Sequence, residues 1–252
     1  AGVCFFLLVV PLAGLVVRSL RVNGAWSLAG YQGLLSGQLA SAIRATLTTA
    51  VAAALLALVM GVLVALVVSR RPHSSSGRWW LGAVENIFML PLGVSAVTVG
   101  FGYLITLNRP PLDLRSSLVL VPIAQAVVAL PMVVRTLLPT LRAIDPRQLQ
   151  AAQVLGASPL RVLTTIELPA LGRGLGLAVG FALATSLGAF GATSFLVRPS
   201  EPTLPVLIFR LFSRPTGGNY VMAMAASVVL AVLTATVMVA AERARPKEVD
   251  SW

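Results

Sequence analysis

"QAAQVLGASPLRVLTTIELP", Gln150 to Pro169, lies between two long apolar blocks, yet it is too broken and too polar to cross a membrane. Its punctuation reads as two short helices meeting at a glycine. Just upstream, in "AIDP", Asp145 stands as an N-cap and Pro146 takes the first helical position, where a missing N–H costs nothing. Gln148, three residues after the cap, has the spacing of a capping box. The first helix is expected over about Pro146 to Leu155, with Gly156 ending it in the left-handed conformation. Ser158 then caps a second helix with Pro159 at its first position, Leu160, Leu163 and Ile166 sharing one side, and Pro169 closing the unit. Two short helices held at a fixed angle suit docking against another protein. A pair of helices lying on lipid headgroups is the alternative that these residues leave open.

The blocks around this unit set its context. Of 252 residues, 57% are hydrophobic and 11% charged, and the charges cluster between apolar runs. A spanning helix needs roughly 20 apolar residues. Six such segments are expected: about Gly2 to Val17 with Pro11 inside, Leu39 to Val68, Leu81 to Leu107 with Pro91, Ser117 to Leu138 with Pro122 and Pro131, Leu171 to Val197, and Tyr220 to Ala241. Prolines inside spans are tolerated where neighbours satisfy the freed carbonyls. The fold class is therefore an all-α polytopic membrane protein, one transmembrane domain over 1–252.

The net charge of +11 would point to nucleic acid in a soluble protein, but here arginines in loops orient helices and meet anionic lipid, and no nucleic-acid partner is expected. One side would hold Arg70, Arg71, Arg78, Arg142, Arg147, Arg161, Arg173, Arg243, Arg245 and Lys247. The other would hold Arg18, Arg21, Arg44, Arg109, Arg115, Arg198, Arg210 and Arg214, a weak bias, with Arg135 free to snorkel from the fourth span. Few ionisable groups lie inside the spans, Glu85 near the start of the third and Arg135 in the fourth, with no buried row of carboxylates or ladder of arginines, so a proton pump or voltage sensor lacks its intramembrane charges. One cysteine, Cys4, and one histidine, His73, offer no disulfide, no metal cluster and little acid–base chemistry. No catalytic, cofactor or metal-binding residue is assigned.

Small residues recur every four positions: Ala53, Ala57, Gly61 and Ala65 in the second span; Gly176, Gly180, Ala184, Gly188 and Ala192 in the fifth; Ala223, Ser227, Ala231 and Ala235 in the sixth. Such stripes let helices approach closely in lipid. Bundle packing is the plainer reading, and a substrate path or subunit interface the other. In "TLPVLIFRLF", about 203–213, Leu204, Leu207, Ile208 and Leu211 fall at helical spacing after Thr203, a possible cap. This reads as a short helix in the outer interface. Arg198, Arg210 and Arg214 flank it, to anchor on lipid phosphates or to meet an external protein.

The spacing Gln150-Ala151-Ala152, three residues, Gly156, nine residues, Ile166-Glu167-Leu168-Pro169 resembles the "EAA" loop of ABC importer permeases, with Gln150 where the family has Glu. The resemblance implies a type I ABC importer permease fold and a cytoplasmic coupling loop over about 143–170. Gln150, Ala151, Ala152, Gly156, Ala157, Ser158, Pro159, Leu160, Ile166, Leu168 and Pro169 would be its ATPase-coupling residues. It further implies two ABC ATPase subunits that hold the ATP, a second permease half or copy, an external solute-binding protein, and a bacterial inner membrane with both termini cytoplasmic. The chain itself has no G-x-x-x-x-G-K-[ST] run to hold nucleotide. Phe88 to Ile105 and Thr185 to Phe212 look like the ferric-iron and thiamine branch, with Ala189 where that branch usually has an acidic residue. Sulfate, molybdate and polyamine permeases are alternatives within the family. A secondary transporter or channel, which would need inverted repeats or intramembrane ionisable sites, is the reading of a different class. That branch often fuses two permease halves, and an N-terminus without Met fits a second half or a trimmed chain.

Overall fold

A computed structural model describes residues 2–22, 24–35, 37–70, 75–107, 119–214 and 217–243. His73, Arg71, Arg109, Arg115, Ser117, Arg245 and Lys247 lie outside the described residues, as do the side chains of Cys4, Arg78 and Arg173.

The chain opens with α1 (Gly2–Ser19), a two-stranded antiparallel hairpin of β1 (Arg21–Val22) and β2 (Ala25–Trp26), and a short α2 (Ala29–Leu35). Then comes α3 (Leu39–Ser69), 31 residues without a break. It is apolar all round but not uniform. Ala42, Ala50, Ala53, Ala57 and Ala65 are buried, while Val51, Leu55, Val59, Leu63 and Val67 are exposed. An apolar face of that length, left bare, suits lipid and not water. On the other side, the small residues admit α6 (Leu120–Arg142) and α9 (Leu168–Leu187). Ala53 and Ala57 meet Ala129, Val133 and Leu137 of α6 and Leu171, Ala178 and Ala182 of α9. In lipid this close packing is stabilised by dispersion contacts, since hydrocarbon outside is as apolar as the core.

Two expected spans are broken. The third is two helices, α4 (Ser75–Gly93) and α5 (Ala96–Thr106), whose axes meet at 102°. Pro91 lies within α4 and is not the break. The turn comes at Val94–Ser95, where the Ser95 hydroxyl accepts the Val97 N–H at 3.3 Å and starts a new helix. The fifth span does not run to Val197: α9 stops at Leu187, and residues 188–200 form successive turns without regular helix. Those turns pack against α5. A Cβ on Gly100 would lie 2.7 Å from the Ala192 carbonyl oxygen, and one on Gly191 would lie 2.9 Å from the Val97 nitrogen, so both positions need glycine for contact alone.

α10 (Leu204–Phe212) and α11 (Gly217–Arg243) complete the bundle. Among the described residues three helices are long and apolar enough to cross a membrane: α3, α6 and α11. Two bent pairs, α4 with α5 and Pro159–Gly172 with Gly174–Leu187, raise the count to five. The sixth expected segment corresponds to α1 (Gly2–Ser19), of which Val9–Ser19 counts among the shorter apolar helices.

Candidate functional site

The 143–170 loop leaves α6 at Arg142 and forms α7 (Pro146–Val154) and α8 (Pro159–Val162). Asp145 caps α7, its carboxylate accepting the Arg147 N–H at 2.9 Å. The capping box does not close as its spacing predicts, because Gln148 bonds the Asp145 carbonyl through its own backbone N–H. At the other end, Gly156 sits at φ +72°. Its N–H reaches the Gln153 carbonyl and the Ala157 N–H reaches the Ala152 carbonyl, at 3.0 and 2.9 Å, the two bonds of a Schellman motif. The elbow is thus held by backbone geometry. The Ala152 position contributes its carbonyl, while Gln150 and Ala151 are exposed. Ser158 starts the second helix, accepting the Arg161 N–H at a long 3.4 Å.

Pro169 does not close the unit. The chain runs from α8 through a wide turn, Leu163–Glu167, straight into α9, with Pro169 in the first turn of α9. Proline cannot donate to the carbonyl four residues back, and its ring would press on that carbonyl. The wide turn absorbs both faults: the Leu168 N–H bonds the Leu163 carbonyl, five residues back. It also shifts the packed face. Leu160 is exposed, Leu163 and Ile166 are half-buried, and the buried positions are Val162, Glu167 and Leu171. The expected Leu160–Leu163–Ile166 face therefore does not form. Leu168 and Pro169 are exposed, and Ala157 is half-buried.

Glu167 is the residue that sequence reasoning missed. It is only 4% exposed, a carboxyl group within the packed bundle. Arg70, at the end of α3, meets it two-handed: Nη1 to Oε1 at 3.1 Å and Nη2 to Oε2 at 3.2 Å. A buried carboxylate needs such a partner. The signal available was its place as the single carboxylate between Asp145 and Glu201. A second pair, Arg142 Nη2 to Glu85 Oε2 at 2.9 Å, ties α6 to α4 near the surface, so Glu85 is not an isolated intramembrane charge. Arg135 is exposed on α6.

On α7 no residue is buried. Val154 and Leu155, directly before the elbow, are 87% and 85% exposed, and Leu160 after it is 69% exposed. Three large apolar side chains thus stand out around a fixed bend.

The far end of the bundle is marked by α10. It does not simply lie across a surface: Leu204, Pro205, Val206 and Leu207 are buried, and Leu204 and Leu207 pack with Leu39 and Ala42 of α3 and Ala225 and Ala226 of α11. Thr203 makes no side-chain cap. Thr46 of α3 does that work, its hydroxyl accepting the Leu204 N–H at 2.8 Å while donating to the Ala42 carbonyl at 2.7 Å. Arg210 is committed to the Pro199 carbonyl at 2.9 Å. An open apolar recess of about 350 Å³ lies beside α10, lined by Phe190, Pro205, Ile208, Phe209, Phe212 and Ser213.

The small-residue stripes divide differently from their spacing. Along α9 Ala178 and Ala182 are fully buried in the cluster shared with α3 and α6; Gly180 is buried and faces Met238 of α11, and Gly176 and Ala184 are half-buried. Gly188 and Ala192 stand beyond the helix, Gly188 exposed and Ala192 buried. In α11 Ala223 is buried, but Ala231 and Ala235 are exposed, so that stripe does not persist as a packing face. Between α6 and α9, Gln125 is buried and donates to the Ser186 carbonyl at 3.3 Å. Among the described residues no group of three or more His, Cys, Asp or Glu is placed to hold a metal.

No protein-family model matches the chain. It is similar to the protein named as the 2-aminoethylphosphonate transport system permease protein PhnV of Salmonella typhimurium, 32% identical over 247 residues, covering 96% of this chain and 89% of that one. A shorter likeness, 35% over 106 residues, joins it to the similarly named PhnU of Salmonella typhi, covering 42% of this chain and 37% of that one. Its fold matches a chain in a crystal structure of a bacterial ABC transporter involved in the import of the acidic polysaccharide alginate, with a TM-score of 0.78 and 21% identity, over 99% of this chain and 93% of that one. PhnV and PhnU are named for a phosphonate, so the expectation of iron or thiamine gains no support from them.

Proposed function

The chain belongs to the permease family of binding-protein-dependent ABC importers, a multi-pass membrane transport subunit and not itself an ATPase, and we propose that it forms half of the pathway by which a small organophosphonate enters a bacterial cell. The proposed ligand class rests on the likeness to PhnV over 96% of the chain. The proposed assembly is this chain with a second permease unit, be it another copy, a related chain or a fused half. Two ATPase subunits lie on the cytoplasmic side, and an external solute-binding protein delivers the ligand. Both termini are placed in the cytoplasm, on the side of the Gly156 elbow.

The observation that carries the coupling role is the elbow itself: a left-handed bend fixed by two backbone bonds, with Val154, Leu155 and Leu160 exposed around it. Exposed aliphatic groups on a rigid bend are what a groove on a partner can grip. ATP binding would close the ATPase pair and move the elbow. Because a ligand shifts a conformational equilibrium only by its differential affinity, the docked contacts must differ between inward- and outward-open states.

The test is uptake by the full complex in proteoliposomes. Labelled 2-aminoethylphosphonate should accumulate only with ATP and with the binding protein present. Accumulation of ferric iron, thiamine, sulfate, molybdate or a polyamine instead would overturn the ligand class. Uptake without any ATPase would overturn the importer reading in favour of a secondary transporter or channel.

A further inference from the structure

Three helices meet at the elbow, and α6 leads into it directly at Arg142. α9 is joined to it covalently through the wide turn at Leu163–Glu167. α3 is not continuous with the loop, yet Arg70 at its end grips Glu167 within that same turn. The grip has directional content. A guanidinium and a carboxylate in a two-handed pair resist rotation as well as separation, because both parallel bonds must be kept. On the Glu167 side the pair is buried, so moving the loop without α3 would strand a desolvated charge.

α3 runs from Thr46 to Ser69, next to Arg70, as one uninterrupted helix. Those 24 positions span about 36 Å at 1.5 Å per residue. At Thr46 it is again held by a specific bond, the one that takes the Leu204 N–H and starts α10. Leu39 and Ala42 of α3 pack on Leu204 and Leu207 around it. α9, by contrast, ends at Leu187 and passes into turns. Of the three helices at the loop, α3 is the one whose side chain bonds the start of α10, with α11 packed on α10 beside it.

We infer that Arg70, Glu167 and Thr46 are positioning residues that make α3 a transmission rod, carrying elbow motion to α10 at the opposite end of the bundle. This rests on the ATPase-coupled reading above. The elbow drives α9 directly and α3 through the ion pair; α10 follows α3. Cutting either end of the rod uncouples α10 while the elbow and α9 still respond to ATP.

The experiment uses the full transporter in nanodiscs, with Cys4→Ser as background. A spin label is placed at Ser213→Cys, exposed just after α10, or at Gly188→Cys, exposed just after α9. Electron paramagnetic resonance reads the ATP-dependent change at each site. Glu167→Gln keeps volume and hydrogen bonding but removes the charge. It is expected to cut the change at 213 at least fivefold, to leave the change at 188 within twofold, and to leave ATPase subunits bound. Thr46→Val should give the same pattern without touching the loop, and the two combined should be no worse than either alone, as expected for residues acting in series. Arg70→Glu with Glu167→Arg should restore at least half of the response at 213.

A response at 213 that survives both Glu167→Gln and Thr46→Val overturns the inference. Equal loss at 188 and 213 also overturns it, since the pair would then only hold the fold. Failure of the wild-type chain to bind any ATPase would sink the importer reading, and this inference with it, and is read from co-purification before any label is used.

Discussion

Replacing Gly156 by alanine isolates the elbow's backbone from everything else. A Cβ at this position meets nothing within 4 Å, so the substitution adds no clash. What it adds is an L-residue at φ +72°, in the left-handed region, where an alanine costs roughly 1–2 kcal/mol relative to glycine. In the free permease that strain can relax, because α7 buries no residue and its neighbours Val154 and Leu155 are exposed. Docking must restore the bend and so carries the full cost. At 1.4 kcal/mol per decade, ATPase affinity should fall about 5- to 30-fold. Gly156→Asn, which tolerates the left-handed region, should lose less than about threefold. Gly156→Pro cannot take this φ and forfeits the bond to the Gln153 carbonyl, so binding should disappear while the bundle still inserts. The assay is a titration of purified ATPase onto the detergent-solubilised permease, with the thermal midpoint of the permease measured alongside. Alanine and asparagine variants binding as tightly as wild type would refute the claim that the left-handed bend is what the partner reads.

Leu155→Asp should weaken ATPase binding at least tenfold without changing the thermal midpoint, since this side chain is exposed and packs against nothing in the bundle; an unchanged titration would remove the loop's apolar side chains from the interface. Thr46→Val should destabilise by about 1–3 kcal/mol, the cost of a buried N–H left without an acceptor, while Thr46→Ser should stay near wild type in thermal unfolding. Gly100→Ala should cost about 1–3 kcal/mol by forcing Ala192 away, whereas Gly102→Ala on the same helix meets nothing and should be neutral or slightly stabilising by the same measurement.

The elements legible in the sequence are those set by neighbours in the chain. α3 begins and ends within a residue of its apolar run, because length and composition decide a spanning helix. The elbow was legible for the same reason. Asp145-Pro146, Gly156 and Ser158-Pro159 each act on the two or three peptide groups beside them, and the backbone they dictate is the one observed. The four-residue stripe of α3 was legible because Ala53, Ala57, Gly61 and Ala65 all fall on the one buried face of the helix.

Where the reading failed, a distant segment had decided. The third and fifth spans look continuous in hydropathy, but Gly100 and Gly191 let two broken segments interlock across the bundle. Hydropathy sums over a window and does not register such a contact. The stripe of α9 points to two different neighbours, so spacing alone could not say which residues would be buried. Glu167 reads as a variable position within I-x-L-P until Arg70, 97 residues away in sequence, is brought against it. Thr46 reads as one polar residue in an apolar helix until α10 starts on its hydroxyl. Local backbone chemistry thus settled which segments are helical and where the loop bends. Only tertiary packing settled which charge is buried and which helix caps another, because a buried polar group is stable solely where a partner from elsewhere in the chain arrives to satisfy it.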